Sequence, residues 1–305
     1  MKRLLLLVLI ALAGCQARDA MLQRALAEGW PIELPKGPRG AAQAFTLPYL
    51  QLVGSAENAY DPAATLLGKV RRIEIKQTHY TRDESKKQET VLTREYGPAN
   101  RMQSQKWESD SIWFLTTWTY DETGRILLAE TKRLDTGEVI VHEKSVYNLA
   151  KQIVYTLDAG GQLLRVVTET HSGTSVMYTA YEGKKVFSVG SLETDPQGQV
   201  VTQKDEMHAG AYVSRALRRW TREKGRVVHY EWRDLESGAP VLETRYRYLG
   251  RDLVSSETTG RAIGENRRER SEYSGHDAAG NWTKAVVRGD GESEISYERR
   301  IEYQE

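Results

Sequence analysis

The chain has 305 residues, 39% of them hydrophobic and 28% charged, with 43 basic against 42 acidic side chains. So even a balance supplies no net field for nucleic acid, which is not expected as a partner. The single cysteine, Cys15, excludes an intrachain disulfide and a thiolate metal cluster. The aromatic residues are 16 Tyr and 7 Trp against 3 Phe. Rings with a polar tip suit half-buried sheet faces better than a dry centre.

The chain opens Met1-Lys-Arg, continues through an apolar run from Leu4 to Ala13, and reaches Gly14-Cys15. A basic start, about ten apolar residues and a small-residue end are the parts of a secretion signal. The run is short of the roughly 20 residues needed to span a bilayer. Leu12-Ala13-Gly14-Cys15 resembles the lipobox of bacterial lipoproteins. That resemblance implies cleavage before Cys15, a diacylglycerol on its thiol and acylation of the new N-terminus. Two or more acyl chains anchor stably, at about 0.8 kcal/mol per buried methylene. Gln16, where Asp is absent, resembles lipoproteins sorted to an outer membrane.

Residues 1–14 are therefore expected to be a signal peptide and 15–65 a lipid-anchored linker or strap. Within the latter, the segment from Asp19 to Glu28 favours a short helix closed by Gly29. Five of the chain's 8 prolines then fall between Pro31 and Pro62, a composition of linkers rather than domains.

From residue 66 to residue 305 the pattern changes to period two. Ile112–Tyr120 is apolar on both faces at its start and reads as the fully buried strand. Turn signals recur at Asp121–Gly124, Asp135–Gly137, Asp158–Gly161, Asp195–Gly198, Glu236–Gly238 and Gly275–Gly280. An Asp followed by Gly suits an Asx turn with a left-handed residue. Between the turns, Leu242, Thr244, Tyr246 and Tyr248 alternate with Glu243, Arg245 and Arg247. The segment Ala209–Thr221 fits either helix or strand. The expected fold is all-β, a large curved antiparallel meander of hairpins with about 15–18 strands.

Trp118 and Tyr120-Asp-Glu-Thr-Gly-Arg-Ile126 resemble the RHS/YD-repeat motif of bacterial surface and secreted proteins. Tyr147–Lys151 and Tyr155–Gly161 are degenerate copies, and His276–Thr283 resembles an ending found in secreted β-repeat lipoproteins. The resemblance implies a strand spiral, here too short for a shell and hence an open or partly closed sheet. Arg71, Glu74, Lys76, Arg245 and Glu298 crowd the strands and argue against an outer-membrane barrel, which needs an apolar band about 25 Å tall.

Chemistry is sparse. Asp205, Glu206 and His208, or His229 and Glu231, could each supply two metal ligands, but neither set has a partner at zinc-site spacing. No nucleophile elbow, phosphate loop or dinucleotide fingerprint is present, so neither enzyme activity, cofactor nor metal is expected. The aromatics Trp107, Trp113, Trp118, Trp220, Trp232 and Trp282, with the tyrosines, either stack on a ligand or pack across strands. The residues singled out for binding are Trp118, Tyr120, Trp220, Trp232 and Trp282. The expected function is a membrane-anchored envelope lipoprotein acting as a non-catalytic binding or structural module. Its partners would be the membrane, through Cys15, and an envelope protein or glycan. An immunity or accessory protein for a YD-repeat toxin, and a hydrolase with an unrecognised site, are the alternatives.

Overall fold

The computed structural model describes residues 20–32, 34, 66–80, 87–98, 101–110, 113–197, 199–209, 212–261, 268–289 and 294–305. The segment expected to be a signal peptide, Cys15 and most of the expected linker lie outside the described residues. Among those described are one helix, α1 (20–27), and eighteen strands. The first nine are β1 (Val70–Tyr80), β2 (Lys87–Tyr96), β3 (Met102–Ser109), β4 (Trp113–Tyr120), β5 (Ile126–Arg133), β6 (Val139–Asn148), β7 (Ile153–Leu157), β8 (Leu163–Ser172) and β9 (Ser175–Glu182). The rest are β10 (Lys185–Thr194), β11 (Val200–Ala209), β12 (Tyr212–Glu223), β13 (Arg226–Asp234), β14 (Pro240–Leu249), β15 (Asp252–Thr259), β16 (Arg268–Ser274), β17 (Lys284–Gly289) and β18 (Glu294–Tyr303). The fold is all-β and antiparallel, and the ambiguous 209–221 segment is strand.

Consecutive strands pair as hairpins, and the first strand also pairs with the last. Ile73 faces Ile301, Lys76 faces Glu298 and Tyr80 faces Glu294. The strand spiral implied by the YD-repeat resemblance is thereby corrected: where an open or partly closed sheet was expected, the first and last strands meet. Alternation along the chain dictates hairpins, but whether the terminal strands meet depends on twist accumulated over the whole sheet.

Contacts divide the strands into two compact units. One contains α1, His142–Gln199 and Lys204–Ser214. Its core is built where α1 lies on the sheet. Leu22 and Ala25, three residues apart on one helical face, pack with Trp30 and Ile32 against Ile153, Tyr155, Leu157, Val166 and Tyr181. The helix ends at Gly29, whose φ of 78° suits a left-handed terminator, and Trp30 N returns to Ala25 O at 2.9 Å. β7 is buried at all five positions. β4, expected to be the fully buried strand, is buried only at Trp118. Part of the difference lies in α1, which covers the Ile153, Tyr155 and Leu157 side of β7 and which a strand's own sequence does not reveal.

The other unit takes the described residues of Leu47–Val141, Val200–Gln203 and Arg215–Glu305. Two of its core clusters are centred on Met102, Trp118 and Ala129, and on Leu253, Tyr273, Trp282 and Ala285. Asn281, 3% exposed, fastens the segment leading into β1. Its Oδ1 accepts from Leu67 N at 2.7 Å, and its Nδ2 donates to Leu67 O and Tyr303 Oη at 2.8 Å each.

The Asp-x-x-Gly turns share one hydrogen-bond pattern. Asp121 N donates to Arg125 O at 2.9 Å, and Arg125 N returns to Asp121 Oδ1 at 3.0 Å. The same exchange joins Asp158 to Gln162, Asp195 to Gln199 and Asp277 to Asn281. In three of them the fourth residue is a glycine with φ of 91° (Gly124), 77° (Gly161) or 93° (Gly280), which an L-residue would adopt only under strain. The carboxylate satisfies amides that the tight reversal would otherwise leave unpaired.

Burial pushes the Asp121 carboxyl up, but bonds from the Arg125 amide and side chain and from Thr123 outweigh it and bring it to about 2. Against an unfolded value of 3.8, the lowered group contributes stability above pH 3.8, and that contribution disappears as pH falls toward 2. It amounts to roughly 2 kcal/mol. Asp121→Ala is expected to lose about that much at neutral pH, with the gap to wild type closing near pH 2, as read by urea unfolding at both pH values. Asn281→Ala should lose about 1–3 kcal/mol in the same assay, because backbone groups at Leu67 lose their partner.

Candidate functional site

The five aromatics named for binding do not form one platform. Trp118, 5% exposed, packs on Met102 and Ala129, with Tyr120 against the same cluster. Tyr120 Oη donates to Met102 O at 2.5 Å, and burial raises its pKa to about 12. Trp220 is buried and tilted on Tyr230 at 5.4 Å. Trp232 is half-buried beneath the Arg218 guanidinium, 5.3 Å from its ring centre. Trp282 is buried between Tyr273, at 5.3 Å, and the Arg299 guanidinium, at 3.3 Å. Trp118, Trp220 and Trp282 are therefore core residues, and packing across strands accounts for them. Among the described residues the buried Trp118 indole N–H has no hydrogen-bond partner, and the ring is held there by its apolar contacts.

The polar candidates are also engaged locally. His208 pairs with Glu206 at 2.9 Å and His229 with Glu243 at 3.0 Å, while Asp205 accepts from the buried Tyr178 hydroxyl. His171 pairs with Glu169 at 2.9 Å, and His276 Nε2 lies 2.8 Å from Leu253 O. Among the described residues no three His, Cys, Asp or Glu side chains converge as metal ligands.

An open groove of about 230 Å³ lies on β3 to β6, lined by Gln105, Trp107, Phe114, Thr116, Thr131 and Ile140. Gln105, Trp107, Phe114, Thr116 and Thr131 share one face because they are linked by register. Trp107 stands opposite Phe114, and Gln105 opposite Thr116, which stands opposite Thr131. The Thr116 and Thr131 hydroxyls are 3.0 Å apart, and Arg94 Nε donates to Gln105 Oε1 at 2.8 Å. Trp107 is 46% exposed and Ile140 48% exposed. Trp113 is also exposed, but it stands opposite Glu108 on the other face of the sheet. Trp107 was visible in the sequence as one Trp among seven. Nothing in period-two alternation separates it from Trp118, which lies on the same face.

No protein family and no curated protein matches the sequence. Among solved structures, the chain is similar to a porin-like protein from Bacteroides uniformis ATCC 8492, at 15% identity and a TM-score of 0.38, over 79% of this chain and 100% of that one. It is also similar to a Photorhabdus luminescens Tc holotoxin pore, at 10% identity and a TM-score of 0.24, over 66% of this chain and 14% of the other. A TcdB2-TccC3 structure follows at 9% identity and 0.22, over 67% and 16%. All three scores are below 0.5, and the fold described above rests on the strand pairings alone.

Two truncations separate the tryptophan populations. Trp118→Ala should destabilise by about 3–5 kcal/mol, as large-to-small changes in a packed core do. Trp107→Ala should cost at most about 0.5–1 kcal/mol in the same thermal or urea unfolding assay.

Proposed function

We propose that this protein is a lipid-anchored envelope protein whose closed sheet is a water-facing, non-catalytic binding module. The observation that carries the reading is the distribution of charge on the strands. One face of the second unit bears Lys76–Glu89 at 3.0 Å, Lys106–Glu108 at 2.7 Å, Lys132–Glu130 at 2.6 Å, Arg245–Glu243 at 2.9 Å and Arg288–Glu294 at 2.9 Å. The opposite face, richer in aromatics, still carries Gln77, Arg94, Glu269 and Arg299. Neither face offers the uninterrupted apolar band, about 25 Å tall, that strands need in lipid. A protein with such strands reaches a membrane through an anchor, and Cys15 in its lipobox-like setting supplies one.

The non-catalytic part is supported by the side chains named for chemistry. Asp205, His208 and His229 each have a separate partner. The motif shared with YD-repeat toxins is consumed by the turns' own backbone, which leaves the immunity-protein reading without a residue in its favour.

Cys15→Ser is expected to move the full-length protein from the membrane fraction to the soluble fraction without detergent. Its persistence in membranes after a carbonate wash would sink the lipid-anchor reading.

A further inference from the structure

We infer that the groove on β3–β6 binds a neutral saccharide ring, a conclusion that rests on reading the protein as a binding module and adds the ligand class. Its floor is aromatic and open. Trp107 leaves nearly half of its surface in water even though the half-buried Leu92 and Phe114 stand directly across from it on the two neighbouring strands. An exposed indole beside an exposed Ile140 is apolar surface that the fold itself does not use.

The polar lining is neutral and has unused hydrogen-bonding capacity. The Gln105 carbonyl is occupied by Arg94, leaving its amide hydrogens. Thr116 and Thr131 share one hydrogen between two hydroxyls, leaving the second hydrogen and further lone pairs. The Trp107 indole N–H adds another donor, with no bond to a described residue.

These features select a ligand class. An anion or cation would call for an opposite charge, and none of the six lining side chains carries one. A purely apolar ligand would cover the amide and hydroxyls without pairing them. A pyranose ring has an apolar C–H face for the indole and hydroxyls, both donors and acceptors, for Gln105 and the threonines. The volume, about 230 Å³, is below the roughly 300–1,000 Å³ of sites that enclose drug-sized ligands. It suits one ring of a longer chain that leaves through the open side. Gln105, Trp107, Phe114, Thr116 and Thr131 sit on hydrogen-bonded strands rather than loops, so the site is preformed.

The test is titration of the full-length Cys15→Ser protein with maltohexaose, cellohexaose, chitohexaose and xylohexaose, followed by tryptophan fluorescence and calorimetry. If that variant stays in membranes, the lipidated protein in detergent replaces it, so a failed anchor leaves the glycan question answerable. At least one neutral oligosaccharide should bind saturably. Trp107→Ala should weaken it about tenfold or more, Trp107→Phe less, and Gln105→Leu measurably. Trp113→Ala, an equally exposed ring on the other face, should leave affinity unchanged. Failure of all four saccharides to bind would overturn the inference, as would equal loss in Trp107→Ala and Trp113→Ala. Trp107-dependent binding of heparin or of phospholipid vesicles, without saccharide binding, would also overturn it.

Discussion

The pairing of β1 with β18 is the constraint on which the rest depends. It brings together segments more than 200 residues apart, with Gln304 Nε2 bonded to both Val70 O and Gly97 O at 3.0 Å. Loop-closure entropy grows only logarithmically, so closing this span rather than a ten-residue loop adds about 3 kcal/mol. A ladder from Val70 to Tyr80 against Glu294 to Tyr303, at about 0.5–1.5 kcal/mol for each net hydrogen bond, exceeds that. Closure also removes the two terminal strands as exposed edges, the usual route to aggregation of a long antiparallel sheet. The contacts of Asn281 with Leu67 and Tyr303 reinforce the same junction from the side chains.

Register carries the effect of closure into chemistry. In the second unit, each hairpin passes its alternation to the next. Lys76 stands opposite Glu298, Glu298 opposite Lys284, Glu257 opposite Arg270 and Arg245 opposite Glu257. A slip of one residue anywhere would move charges onto the aromatic face. The Asp-x-x-Gly turns hold the register at the hairpin ends, because the Asp carboxylate and the following glycine specify how many residues the reversal contains. A motif that resembles a family signature is here a device for counting residues.

The tryptophans show how tertiary context separates residues that look alike. Trp107 on β3 and Trp118 on β4 lie on one face of one hairpin. Trp118 is enclosed by Met102, Ala129 and their neighbours, whereas Trp107, between Leu92 and Phe114, lines an open groove and keeps 46% of its surface exposed. One ring therefore stabilises the fold, and the other is left available to a ligand.

The sequence by itself determined strand character, the places where the chain turns, the helix before Gly29 and the lipobox-like setting of Cys15. Each of these is written in local chemistry: alternation at period two, an Asp beside a left-handed glycine, an apolar run that ends at a small residue. Only the tertiary structure decided that the sheet closes, that β7 rather than β4 is wholly buried, and that Trp107 rather than Trp118 faces solvent. Those outcomes depend on which distant segments meet, α1 on β7 and β1 on β18. Burial is a property of such meetings, so no window of local sequence contains it.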